Sequence, residues 1–348
     1  RQRQMCIRDR VYTHLTPDTA ILSDTYLQRT ILYNAIGLGL LLLCIFGNYM
    51  YLAKGAWILL AIFLLGLLPP WFFGFYGRQY TLCYYLALVY PLVYALLLYR
   101  LRDKGAKAIW FLHGLTLLFL VRMLFGTIIT WSTVLAAGCL TLLLLCLAIH
   151  RGILTGSSKR TLWLLTVLPY VAAAACFVIL FFQNSYMRDR LTEFLKGSNY
   201  VQQMLALEQQ QMLAFGGGTI SSYVDTESLA STYVLHSIFL WFGIVSGILV
   251  IVALAVLVLR SLHYALHQSN RLALLAGTAA SGILLFELLH FVLTNLGCSP
   301  VYTASVPFLS YGFANSVFNS LLVGITLGVI RNQNVLSETT ASLRGLRA

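Results

Sequence analysis

The stretch "SVPFLSYGFANS", residues 305–316, decides how this chain is read, because it stands directly ahead of an apolar run long enough to cross a membrane. Proline, glycine, serine, tyrosine and asparagine at that depth need protein or a wet cavity around them, since lipid offers no partner to backbone groups freed by a break. The stretch is therefore a candidate site and the start of a helix. Pro307 would fix the chain's approach to that helix, and Gly312 would allow close helix approach. Ser310 and Tyr311 would offer hydroxyls, either to a ligand in a central cavity or to the freed backbone groups, and the second role is the one favoured.

The rest of the chain is equally apolar. Of 348 residues, 59% are hydrophobic and 10% charged, which excludes a domain with a water-facing surface all round. A spanning helix takes roughly 20 apolar residues. About nine such segments can be read, at 31–53, 56–76, 80–100, 109–122, 124–149, 162–182, 233–259, 272–296 and 308–330, the fourth short enough to suggest a half-span. The fold class is thus an all-α, polytopic transmembrane helical bundle with one large loop at 183–232.

The net charge of +12 is placed in a pattern. Arg100, Arg102, Lys104 and Lys107 share one loop, Arg151, Lys159 and Arg160 a second, Arg260 and Arg271 flank a third, and Arg331, Arg344 and Arg347 lie in the tail. Counting spans puts all four on one side, which is the positive-inside distribution. These loops and the C-terminus are then cytoplasmic, and 183–232 is outside. Basic side chains so placed set topology and attract anionic membrane lipid; they are not a nucleic-acid surface. Cys44, Cys83, Cys139, Cys146 and Cys176 all fall within spans and no CxxC occurs, so no metal or disulfide framework is read. His263 and His267 have the i, i+4 spacing of two metal ligands but lack an acidic partner, and read as loop residues at an interface.

Residues 183–232 are far longer than the few residues that usually join packed helices, and such loops are commonly functional. Helical spacing continues to about residue 213, ahead of a glycine cluster at 216–218, which favours an ordered loop on the outer face. Only 11 acidic residues exist, and Asp189, Glu193, Glu208, Asp225 and Glu227 all lie in this loop. Glu287 falls inside a span, where a carboxylate is by default a functional hypothesis, and His290 follows three residues later on the same helical face. Arg122, between two spans, can snorkel to the surface or face a cavity and hold a phosphate.

The run Pro307–Gly312 resembles the pattern G-x-x-L-P-F-(L/I/V)-S-Y-G-G-S-S that precedes the last helix of the SEDS family, the shape, elongation, division and sporulation proteins that include FtsW, RodA and SpoVE. Pro300 and Gly297 stand at similar distances upstream. "FGTIITWSTVLAAG" from Phe125 resembles the family's P-D-L-G-T helix and keeps Gly126 and Thr127; "STYVLHSIFLWFGIVSG" resembles T-D-F-I-F-A-x-x-x-E-E-x-G-x-x-G, with Gly243 in register. The loop with Arg190, a glutamine-containing helix and a glycine cluster resembles the family's large extracellular loop. The resemblance covers residues 25–335, leaving 1–24 as a non-family or truncated N-terminal segment and 336–348 as a cytoplasmic tail. It implies about ten spans, the first missing here.

The resemblance also implies a function. Members are peptidoglycan glycosyltransferases that polymerise lipid II, an undecaprenyl-pyrophosphate-linked precursor, at the outer face of the bacterial cytoplasmic (inner) membrane, partnered by a class B penicillin-binding protein. An acceptor sugar hydroxyl must lose its proton as it attacks the anomeric carbon, so a positioned base helps. The departing pyrophosphate needs cationic or metal stabilisation, which leaves a place for a divalent cation although no cofactor is certain.

Several positions depart from the family pattern. Its loop aspartate aligns with Thr232, its P-D-L-G aspartate with Leu124, its paired glutamates with Leu240 and Trp241, and its ninth-helix glutamine with Glu287; after Gly312, G-S-S becomes Phe313, Ala314 and Asn315. Threonine cannot act as a base near neutral pH. One reading makes Asp225 or Glu227 the relocated base, with Arg190 and Arg122 near the pyrophosphate and Glu287, His290, Ser310 and Tyr311 lining the substrate cavity. A second makes the chain a non-catalytic member that binds lipid-linked precursor or a penicillin-binding protein. A lipid flippase or transporter is a weaker third, since no paired broken helices suggest inverted repeats.

Overall fold

The computed structural model describes residues 19–47, 49–68, 79–124, 129–216, 232–299, 306, 309–310 and 312–331. Along these residues run α1 (Thr19–Phe46), α2 (Met50–Lys54), α3 (Ala56–Gly66), α4 (Gln79–Arg100), α5 (Ala106–Leu124), α6 (Ile129–His150) and α7 (Lys159–Gln183). There follow α8 (Ser185–Leu195), α9 (Tyr200–Gln209), α10 (Val234–Phe242), α11 (Ile244–Leu266), α12 (Arg271–Asn295) and α13 (Phe313–Arg331). Polar side chains set several starts. The Ser158 hydroxyl accepts from the Thr161 N–H at α7, and the Asn270 side chain accepts from Leu272 and Ala273 at α12, each cap worth about 1 kcal/mol.

Among the described residues seven helices are long and apolar enough to cross a membrane, and two shorter apolar helices, Ala56–Gly66 and Tyr84–Arg100, account for the remaining segments read from sequence. The polytopic helical bundle is thus observed. Three boundaries differ from the sequence reading. The segment expected to be a half-span is α5, apolar over Ala106–Met123 and of spanning length. The first span ends at Phe46 rather than 53. The segment 233–259 is not one helix: the chain breaks at Gly243, and only α11 has spanning length.

α12 is the central helix, packed against α4, α6, α11 and α13. Its small residues Ala273, Ala276, Gly277, Ala279, Ala280 and Ser281 are buried and let neighbours approach closely. α7 and α11 do the opposite, exposing Leu164, Leu168 and Val171, and Leu249 and Val252, as a lipid-facing surface requires. On α13, Ser316, Ser320, Gly324 and Gly328 recur every fourth residue and meet Asn34, Gly37, Leu41 and Cys44 of α1. A Cβ on Gly328 would lie 2.7 Å from the Cys44 carbonyl oxygen, so the two backbones pack with nothing between them.

The basic loops gather at one end. The Thr155 N–H donates to the Arg102 carbonyl at 2.9 Å, Arg151 to the Leu266 carbonyl at 3.1 Å and Arg331 to the Ile45 carbonyl at 3.1 Å. The same-side placement inferred by counting spans is therefore a physical cluster. At the opposite end lie the ends of α3, α5 and α7, all of α8–α10, and the start of α13.

Candidate functional site

At that opposite end the chain is held by polar contacts. Gly243, between α10 and α11, has φ +89, and a Cβ there would lie 2.5 Å from the Gly216 nitrogen and 2.6 Å from the Ala214 carbonyl oxygen. Only glycine fits. The close approach lets the Ile244 and Val245 N–H groups donate to the carbonyls of Leu213 and Ala214, at 3.0 and 3.2 Å, so the strand of chain after α9 caps the start of α11.

α9 itself docks on α10 and on the last turn of α12. Leu205 packs with Tyr233 and Val201, and Gln209 donates to the Leu296 carbonyl at 3.3 Å. Between them, Glu208 Oε2 lies 2.7 Å from His236 Nε2, with the side chains 2% and 0% exposed. The His236 N–H donates to Asn295 Oδ1 at 2.9 Å, and Asn295 Nδ2 donates to the Thr232 and Phe291 carbonyls at 2.9 and 2.8 Å. One buried network thus joins α9, α10, α12 and residue 232.

A carboxylate acceptor at Nε2 requires the Nε2–H form of a neutral imidazole, which leaves the lone pair on Nδ1. Nδ1 is buried with no hydrogen-bond partner among the described residues. Burial pushes His236 below its ordinary value, against the upward pull of Glu208. The imidazole is therefore neutral at neutral pH, carboxylate on one nitrogen and an open lone pair on the other.

The residues singled out in the sequence fall in several places. Asp225, Glu227, Tyr311, Pro300 and Pro307 lie outside the described residues. Thr232 ends the network through its carbonyl. Arg122 donates from Nε to the Leu67 carbonyl at 3.0 Å, closing the end of α3, and Arg190 is half-buried on α8. Glu287 and His290 are both buried on α12; His290 stacks on Phe286 with ring centroids 5.5 Å apart. Tyr85 of α4 lies within electrostatic reach of Glu287 and packs edge-on against Phe318 of α13 at 5.4 Å, so the carboxylate sits where α4, α12 and α13 converge. Among the described residues no group of His, Cys, Asp or Glu could hold a metal ion.

Ser310 and Gly312 answer the question posed by residues 305–316. The Ser310 hydroxyl accepts from the Val306 N–H at 3.0 Å, and Asn315 Nδ2 donates to the Ser310 carbonyl at 2.8 Å. Among the described residues, the break ahead of α13 is thus partnered by its own serine and by Asn315. Gly312 has φ +141, and among the described residues the nearest atom to an added Cβ is Asn315 Cβ, an ordinary contact at 3.8 Å. Its role is the backbone angle and not the close helix approach expected from sequence.

The sequence marks Glu208 only as one of the loop's acidic residues and gives no sign of His236 or Asn295. His236 sits one helical turn beyond Thr232 inside a segment already singled out, but its partner is 28 residues away, and no local pattern links the two.

No family model and no curated protein matches the sequence. The fold has a solved counterpart. A chain of a structure described as "Structural coordination of polymerization and crosslinking by a peptidoglycan synthase complex" is similar over 90% of this chain and 91% of its own length, with a TM-score of 0.63 and 19% identity. The helical arrangement described above is thus shared nearly end to end with a component of that complex.

Proposed function

We propose that this chain is a SEDS-like protein of peptidoglycan synthesis that takes lipid II at the outer face of the bacterial cytoplasmic membrane and polymerises it beside a class B penicillin-binding protein. The observation that carries the reading is the shared fold, which runs almost the whole length of both chains. The Pro307–Gly312 run and the order of the other segments support it from the sequence side. In this reading the basic end is cytoplasmic, the C-terminus with it, and the α8–α10 end faces the space where the sugars are joined. The prenyl chain stays in lipid and the saccharide meets the polar outer end.

Glycosyl transfer needs a base for the acceptor hydroxyl and positive charge for the leaving pyrophosphate. Asp225 and Glu227 are the candidate bases on the loop ahead of residue 232, and Arg190 and Arg122 the nearest candidate cations in the sequence order. A divalent cation could share the pyrophosphate's charge. Thr232 at the family's aspartate position favours a second reading, a non-catalytic member that binds lipid-linked precursor or the penicillin-binding protein.

Purified full-length protein in proteoliposomes, given lipid II with and without its penicillin-binding protein partner, separates the two. Glycan polymer is the expected product. Lipid II or partner binding without polymer selects the scaffold, and neither binding nor polymer removes the chain from this pathway.

A further inference from the structure

The Glu208–His236 pair has no part in the resemblance, and it lies one helical turn from the position where the family's aspartate is replaced by Thr232. We propose that His236 is the general base of this site, with Glu208 orienting it, in place of the missing aspartate. The inference rests on the glycosyltransferase reading and puts His236 in the place that reading offered to Asp225 or Glu227.

Three observations carry it. The 2.7 Å contact from Nε2 to the Glu208 carboxylate fixes which nitrogen holds the proton. The remaining lone pair, on Nδ1, is buried and unpartnered among the described residues, and a buried acceptor left open calls for an explanation such as a ligand proton. The His236 backbone is held by Asn295, which also holds the Thr232 carbonyl, so the ring is anchored to the segment that carries the site. A carboxylate on one imidazole nitrogen and a proton acceptor on the other is the division of labour of a base and its orienting group.

The acceptor sugar hydroxyl gives its proton to Nδ1 as its oxygen forms a bond to the anomeric carbon of the donor. The bond from that carbon to the pyrophosphate oxygen breaks, and the electron pair leaves with the pyrophosphate. Glu208 stabilises the imidazolium until its proton passes to solvent. Both side chains are shielded, so the acceptor hydroxyl has to reach the ring from its Nδ1 side, which leaves the Glu208 contact at Nε2 in place. α9 covers the Nε2 side, held among the described residues by Glu208, Gln209 and the Leu205 cluster.

The groups around the ring give the pH dependence its sign. Glu208 is the acidic group that faces it from α9, Tyr233 is the titratable residue at the N-cap of α10, and α12 brings the uncharged Asn295, with His290 five residues back. A base works neutral, so the rate rises with pH through its titration. Removing the Glu208 charge lowers the imidazole's basicity and moves that rise to lower pH.

The experiment is lipid II polymerisation by the full chain with its partner, measured from pH 5 to 8 for wild type, His236→Gln, Glu208→Gln, Asp225→Asn and Glu227→Gln, with lipid II binding and thermal unfolding alongside. His236→Gln is expected to lose about 100-fold or more in turnover with lipid II binding kept. Glu208→Gln, which keeps a hydrogen bond to the ring, is expected to shift the acid limb downward and lower the plateau. Full turnover in His236→Gln, or loss in Asp225→Asn or Glu227→Gln instead, overturns the inference while the polymerase reading stands. An unshifted Glu208→Gln profile overturns it even if His236→Gln is dead, because the ring is then only structural. If His236→Gln fails to fold, the Glu208→Gln profile decides. No polymer from wild type removes the polymerase reading and this inference together.

Discussion

The seam between α1 and α13 and the docking of α9 on α10 hold helices together by different means. In the seam, small residues at every fourth position bring backbone against backbone, and shape fixes most of the fit, with a hydrogen bond from the Ser316 hydroxyl to Asn34 Oδ1. At α9 the apolar contact is slight, and a buried carboxylate–imidazole pair, its histidine backbone N–H donating to Asn295 Oδ1, does the holding. The membrane-embedded half can be built by shape because lipid competes for no hydrogen bond. The α8–α10 end lies beyond the spanning helices, and there a buried polar network specifies one arrangement. Such a pair gives little net stability, since desolvation cancels most of its attraction, so its value lies in where it puts residues 232–236.

Removing half of the pair should break the outer region hardest. His236→Ala takes the imidazole away from the buried Glu208 side chain and leaves a cavity between α9 and α10, a loss of about 3 kcal/mol. α9 should then release, seen as faster trypsin cleavage after Lys196 and faster amide exchange over 200–209, with the seam untouched. Cleavage and exchange at the wild-type rate would mean that Leu205 and Gln209 suffice to hold it.

Gly243→Ala tests the joint between the two regions. Its positive φ and the backbone atoms within 2.7 Å of a Cβ leave no room to relax, and about 2 kcal/mol should be lost. In the seam, Gly328→Ala meets the Cys44 carbonyl at 2.7 Å and should cost about 1 kcal/mol, provided α1 can shift outward into lipid. Thermal unfolding in detergent reads both. A larger loss at Gly328 would make the seam the more rigid of the two.

Much of the architecture was legible because membrane spans announce themselves. Composition and the spacing of basic loops located the segments and put those loops together, and the contacts of Arg102, Arg151 and Arg331 gather them at one end. Boundaries failed where a glycine with positive φ interrupts an apolar run, as at Gly243: the apolar pattern continues across a break that only backbone angles reveal. The outer network was illegible for another reason. Glu208, His236 and Asn295 come from three elements, and the charged, glutamine-rich surroundings of Glu208 give no sign that it is buried. Ser310 was legible as a partner for freed backbone because its neighbours Pro307 and Gly312 mark the break.

A pH change gives the smallest expected effect and the most specific one. An exposed imidazole in the undocked loop takes up a proton near the ordinary value of 6.5, whereas the buried ring does so only at lower pH. The undocked state then binds more protons below that value, so docking weakens as pH falls. Amide protection of α9 should decline on acidification below about 6.5, while protection along the seam stays level. In His236→Gln the decline should vanish; if it persists there, the titrating group is another.

The most direct measurement is amide exchange on the full chain in nanodiscs with and without lipid II. If the outer network is the working face, lipid II slows exchange over 200–209 and 232–242 and leaves the α1–α13 seam as it was. Protection confined to the basic end, or none at the outer end with lipid II bound, contradicts the placement of the site.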